Sequence, residues 1–125
     1  MLVALFLMFA SSVWACPDNQ RAVELISADA NAPPVFVDMD KVPVSAPFSV
    51  FIQVCAESGP IKLDFDADMP THQHGMNYTP QITDLGDGEF QASGVVFHMP
   101  GAWRLRVKVT AGSARFDYST EISVQ

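Results

Sequence analysis

Apolar and polar positions alternate along most of the chain with a period of two, the repeat of a strand that buries one face. In "PFSVFIQVC" the residues Phe48, Val50, Ile52 and Val54 share a face. In "IKLDFDAD" Ile61, Leu63 and Phe65 alternate with Lys62, Asp64 and Asp66, and in "WRLRVKV" Trp103, Leu105 and Val107 alternate with Arg104, Arg106 and Lys108. "RFDYSTEISV" turns Phe116, Tyr118, Thr120, Ile122 and Val124 inward. After a "GDG" turn, "EFQASGVVFHM" predicts a further strand with Val95, Phe97 and Met99 on one face and Val96 and His98 on the other. "AVELISA" predicts an earlier strand, although "NQRAVELISADA" is the stretch where a helix competes. Gly and Pro punctuate the chain at "ESGP", "GDG", "MPGA" and "AGS", and "NAPP" reads as a loop. Six or seven strands joined by short connections predict an all-β fold, an immunoglobulin-like antiparallel β-sandwich of about seven strands.

The first fifteen residues break the alternation. "MLVALFLMFASSVWA" is a continuous apolar run ending in small residues, with Val13 and Ala15 at the third and first positions before Cys16. That is the pattern of a cleaved export signal, and the run is shorter than the ~20 apolar residues that cross a bilayer. Residues 1–15 are therefore predicted to be a signal peptide and residues 16–125 a single sandwich domain. The competing reading is a buried N-terminal element. No charged residue lies in the leader, so the exported part keeps the whole formal charge of −7. Such a balance disfavours nucleic acid and anionic membrane surfaces, which attract basic patches.

Export changes how the two cysteines are read. An even count in an oxidising compartment favours a Cys16–Cys55 disulfide. The rival is a lipid anchor on Cys16, since "VWAC" is a partial lipobox. The expected location is extracytoplasmic, with periplasmic the leading form.

The chemistry concentrates in two short stretches, "MPTHQHGM" and "VFHMPG", which hold all three histidines. If "THQHGM" is extended, His72, His74 and Met76 share a face. His98, near the end of its own strand, is the natural further donor if the two strand ends meet. Imidazoles bind several transition metals, whereas a thioether is soft and selects Cu(I) over zinc and hard cations. The candidate metal set is therefore His72, His74, Met76 and His98, with Met69 and Met99 in reserve, and the expected ion is copper with Cu(I) favoured. Met99 also reads as a core methionine and Met69 as either a plug for the sandwich end or a cap on the metal. In the bland alternative the same side chains hydrogen-bond one another and the "MPG" turn.

The run "MPTHQHGMNYTPQITDLGDGEFQASGVVFHMPGAWRLRVKV" resembles the YtkA-like family, related to FixH-type periplasmic domains. The shared pattern is an MP-x-H-x-HGM segment, a GDG-x-F turn and an MPG-x-W-x-L strand, covering roughly residues 60–110. The resemblance implies an exported immunoglobulin-like sandwich whose relatives are suspected of handling copper.

Catalysis finds little support. Three histidines are too few for a Cu/Zn dismutase site, a histidine-brace oxygenase needs histidine where Cys16 stands, and no nucleophile elbow, phosphate loop or CxxC occurs. A zinc hydrolase with three histidines and an open position is the remaining formal option. The alternating Asp64, Asp66 and Asp68 read as a solvated strand face that pairs with Arg104, Arg106 and Lys108 rather than as a calcium loop. Two functions follow as expectations: a metal-binding module that holds and passes on copper, or a non-metal domain that docks on a periplasmic or membrane-protein partner.

Overall fold

The structure, a computed structural model, describes Cys16, residues 22–56 and residues 59–125. The expected signal peptide lies outside these described residues. Among the described residues ten strands follow one another: β1 (Val23–Glu24), β2 (Ile26–Ser27), β3 (Val35–Asp38), β4 (Phe48–Val54), β5 (Ile61–Met69), β6 (His74–Gly75), β7 (Gln81–Gly86), β8 (Glu89–Val95), β9 (Gly101–Ala111) and β10 (Ala114–Val124). They form two antiparallel sheets of five, ordered β1-β3-β4-β8-β7 and β2-β10-β9-β5-β6. With the two-residue pieces β1, β2 and β6 set aside, seven strands remain. Their order, β3-β4-β8-β7 against β10-β9-β5, is the four-plus-three arrangement of an immunoglobulin-like sandwich. The expected fold class is the one observed.

Alternation decides which side chains meet between the sheets. Val50, Ile52 and Val54 of β4, Leu63 and Phe65 of β5, and Trp103, Leu105 and Val107 of β9 are all buried. Their polar neighbours face water, and on the outer face of β5 and β9 the register sets Asp64 opposite Lys108, Asp66 opposite Arg106 and Asp68 opposite Arg104. Arg104 grips Asp68 through two nitrogens, at 3.2 and 2.7 Å, and Arg106 reaches Asp66 at 3.2 Å. The hydrogen bond to Asp68 and its negative charge raise the Arg104 pKa above the ordinary guanidinium value.

The local expectations meet four corrections. "AVELISA" forms two short strands instead of one: β1 pairs with β3, β2 pairs with β10, and the chain changes sheets at buried Leu25. No described residue of the competing stretch "NQRAVELISADA" is helical. "EFQASGVVFHM" stops being a strand at Val95 rather than at Met99, after Gly94 at φ 74° and a register shift against β4. "THQHGM" is extended only at His74–Gly75, because residues 70–73 form a turn. Sequence reasoning also passed over β3 and β7. The first offers only two inward residues, Val35 and Val37, and the second is an edge strand whose residues are exposed except for half-buried Ile82.

The turns follow glycine chemistry. Asp87 and Gly88 join β7 to β8 with φ of 52° and 77°, the left-handed pair of a tight hairpin. A Cβ on Gly88 would strike the Val54 carbonyl, so the turn sits directly against β4, where Gly88 O accepts from Val54 N at 2.8 Å. At the same end of β4, Cys55 is disulfide-bonded to Cys16, with the two Cα atoms 5.6 Å apart across 39 residues of chain. A bridged sulfur leaves no thiol for a thioether-linked lipid, so the anchor at Cys16 and the disulfide exclude each other. The bond is compatible with an oxidising, extracytoplasmic location.

Candidate functional site

One end of the sandwich is built from the two histidine-bearing segments. β5 ends at Met69, whose carbonyl accepts from both His72 N (3.1 Å) and Gln73 N (2.9 Å). With Gln73 at φ 54°, this turn reverses the chain and lays β6 antiparallel along the edge of β5. His74 then stands opposite Met69, and Met76 follows with its N–H on the Ala67 carbonyl at 3.3 Å. Residues directly opposite in an antiparallel pair share a face. Met69 and Ala67 are buried, so His74 and Met76 take the inner face, the one that packs on the other sheet. Carrying the β5–β9 register one step beyond Asp68–Arg104 sets Met69 beside Trp103. His74, Met69 and Trp103 thus form a row across the inner face at the rim.

The second segment arrives from the opposite sheet. Beyond β8, Phe97 bridges Val44 in parallel, and Ser45 holds this stretch twice, with its N–H on Phe97 O (2.8 Å) and its hydroxyl on His98 O (3.2 Å). Trp103 Nε1 donates to the Met99 carbonyl at 3.0 Å and so ties the "MPG" turn back onto β9. Regular alternation has ended by this point. His98 and Phe97 therefore both reach Trp103, with ring centroids 5.4 and 4.8 Å from the indole, instead of dividing between two faces as a continuous strand would require.

The two segments meet through their histidines. The His74 and His98 rings lie 4.9 Å apart, and each also stands edge-to-face with Trp103, at 69° and 84° between planes. His72 touches His74 from the outer side, with ring centroids 5.8 Å apart, and is itself exposed. No ring contact among the described residues joins His72 to His98 or Trp103. The three imidazoles make a row with His74 in the middle. In keeping with that, no three His, Cys, Asp or Glu side chains among the described residues gather within reach of one ion.

The burial of individual atoms separates the inner pair from the outer ring. Nδ1 of His74 and Nδ1 of His98 are both buried, and neither has a hydrogen-bond partner. A buried polar atom left unpaired costs about 1–3 kcal/mol, and native structures seldom tolerate it without a compensating ligand or water. At these atoms the alternative of a hydrogen-bonded histidine cluster is not realised. Neutral imidazole carries one N–H and one bare lone pair. In the tautomer that carries its proton on Nε2, each buried Nδ1 is an acceptor with no donor facing it, the state in which an imidazole can bind a metal ion.

The methionines divide by burial. Met69 is 1% exposed, and its methyl carbon would lie only 2.7 Å from a Cβ on Gly101, which has φ 134°. Met69 fills the space beneath the "MPG" turn as a core methionine does, in the same row as His74 and Trp103. Met76 and Met99 are half-buried against the core, and Met76 follows His74 by two positions on the same face. Two imidazoles and a thioether make a poor match for zinc, which takes four ligands in structural sites, and a good one for a soft, low-coordinate ion such as Cu(I). Sequence reasoning missed Trp103 as the wall of this site, since its place in an alternating strand marked it only as a core residue. In comparisons with known proteins, no family model, no curated protein and no solved structure matches the chain.

Proposed function

We propose that this protein is an exported, periplasmic copper-binding module that holds Cu(I) at one end of its sandwich and delivers it to a partner. The observation that carries the reading is the pair of buried, unpartnered Nδ1 atoms on His74 and His98, whose rings are 4.9 Å apart although the residues lie on different segments. Met76 supplies the third, soft donor, and His72 stands outside the pair. The disulfide and the apolar leader support export, and the motif resemblance to the YtkA-like and FixH-type domains agrees with both parts of the proposal. Titration of residues 16–125 with Cu(I) against a competing chelator tests it. One tight equivalent, abolished in the His74→Ala, His98→Ala double variant, supports copper binding; failure to compete at micromolar chelator refutes it.

A second reading has its own observation. Tyr78, two residues beyond Met76, is 63% exposed. An exposed aromatic ring so close to the histidine segment suits docking on a periplasmic or membrane-protein partner, with or without a metal. Partner capture that survives the His74→Ala, His98→Ala variant and is lost in Tyr78→Ser would favour it.

A further inference from the structure

We propose that His72 is not an equal member of the copper site but an outer station, which receives the ion from solvent or a donor and hands it to the inner pair. The inference rests on the copper reading above and concerns how the ion enters and leaves.

Three observations separate His72 from its neighbours. It sits in the turn at residues 70–73 and not on β6, so nothing in the strand register fixes its side chain. It is exposed, and unlike His74 and His98 it has no buried, unpartnered ring nitrogen. Its ring reaches His74 at 5.8 Å but makes no contact with His98 or Trp103, so the three imidazoles do not surround one point. A hydrated imidazole beside a half-buried pair gives a graded path from water to the interior.

The chemistry of the ion favours such a path. A Cu(I) ion with two or three ligands exchanges them associatively, the incoming donor binding before the outgoing one departs. His74 is the shared element, since its ring contacts both others. On entry, an ion held by His72 and His74 gains His98 and Met76 and then loses His72; release reverses the order. Each step replaces one metal–ligand bond with another, and copper stays Cu(I) throughout, so no oxidant or reductant is needed.

The proposal separates rate from affinity. Cu(I)-loaded residues 16–125 would be mixed with excess chelator in a stopped-flow instrument, and equilibrium affinity measured in parallel, for the parent protein and for the His72→Ala and His98→Ala variants. The exposed turn position makes His72→Ala structurally mild. His72→Ala is expected to change affinity by less than about threefold while slowing transfer by about tenfold or more, because the path and not the bound state is altered. His98→Ala is expected to weaken affinity by about 100-fold or more, since losing a residue that merely supports a ligand already costs about 10–100-fold. Equal loss of affinity in both variants would show one three-histidine centre and overturn the relay while leaving copper binding intact. Unchanged rate and affinity in His72→Ala would make the residue a bystander and also overturn it. Absence of Cu(I) binding by the parent protein would remove the copper reading itself, and the relay with it.

Discussion

His74 and His98, with β7 and β8 between them in sequence, stand with their rings 4.9 Å apart and with Nδ1 of each buried and unpartnered. The sandwich creates this meeting by geometry. The tight turn after β5 folds β6 back on the sheet edge, while the early end of β8 frees the "FHMPG" stretch to cross the rim from the other sheet. Trp103, held by its N–H on Met99 O, is the surface on which both rings rest.

Trp103 gives the site a built-in reporter. The chain has two tryptophans, and the other is Trp14, so Trp103 alone emits in a protein beginning at Cys16. Addition of Cu(I) is expected to change its emission in proportion to bound metal, with saturation at one equivalent. The change should vanish in His98→Ala; emission insensitive to bound copper would place the ion elsewhere.

Gly101 holds a φ of 134°, which residues with a Cβ rarely adopt, and a Cβ there would also press on the movable methyl end of Met69. Gly101→Ala is expected to destabilise the fold by about 1–3 kcal/mol, chiefly from backbone strain. Urea denaturation measures it. Adding Met69→Ala should not restore the parent value, because the strained backbone angle persists.

Tyr118 is 3% exposed, and its hydroxyl donates to the Pro33 carbonyl at 2.6 Å, joining β10 to the loop before β3. Burial, and secondarily the charge of Asp29, push its pKa up to about 12. The folded state therefore favours the neutral phenol. The resulting stability is complete below the unfolded tyrosine value of about 10 and is lost as pH rises through about 12. An ultraviolet titration should show a late-ionising tyrosine that is absent in Tyr118→Phe, and that variant should lose about 1 kcal/mol at neutral pH through the missing hydrogen bond.

The disulfide closes 39 residues of chain. Replacing both cysteines, Cys16→Ser with Cys55→Ser, is expected to lower stability by about 2–4 kcal/mol in chemical denaturation. The intact mass of exported protein should show the two thiol hydrogens absent and no lipid added; a diacylglyceryl mass would contradict the bond.

Strands whose inner residues form long alternating runs were legible in the sequence, and β4, β5, β9 and β10 lie where that alternation puts them. So was the pairing of Asp66 and Asp68 with Arg104 and Arg106, because like-spaced opposite charges on neighbouring strands meet across a ladder. β3 and β7 were hidden for different reasons. Val35 and Val37 give too short a run to stand out, and β7 at a sheet edge buries so little that its pattern is nearly all polar. At the site, the six candidate residues were visible as residue types, but their division was not. A strand period says which residues share a face and cannot foresee where the strand stops, and here the turn at residues 70–73 and the end of β8 at Val95 decide that His72 lies outside and His98 inside. Met69 beneath the "MPG" turn and Trp103 as a wall follow from packing across sheets, which no local pattern encodes.

The most direct test of the central claim is nitrogen NMR on protein labelled at histidine, with Ag(I) as a diamagnetic stand-in for Cu(I). Before metal is added, His74 and His98 should both carry their proton on Nε2, and on binding the silver coupling should appear at Nδ1 of these two rings. Protons found on Nδ1, or coupling confined to Nε2 or to His72, would contradict the account.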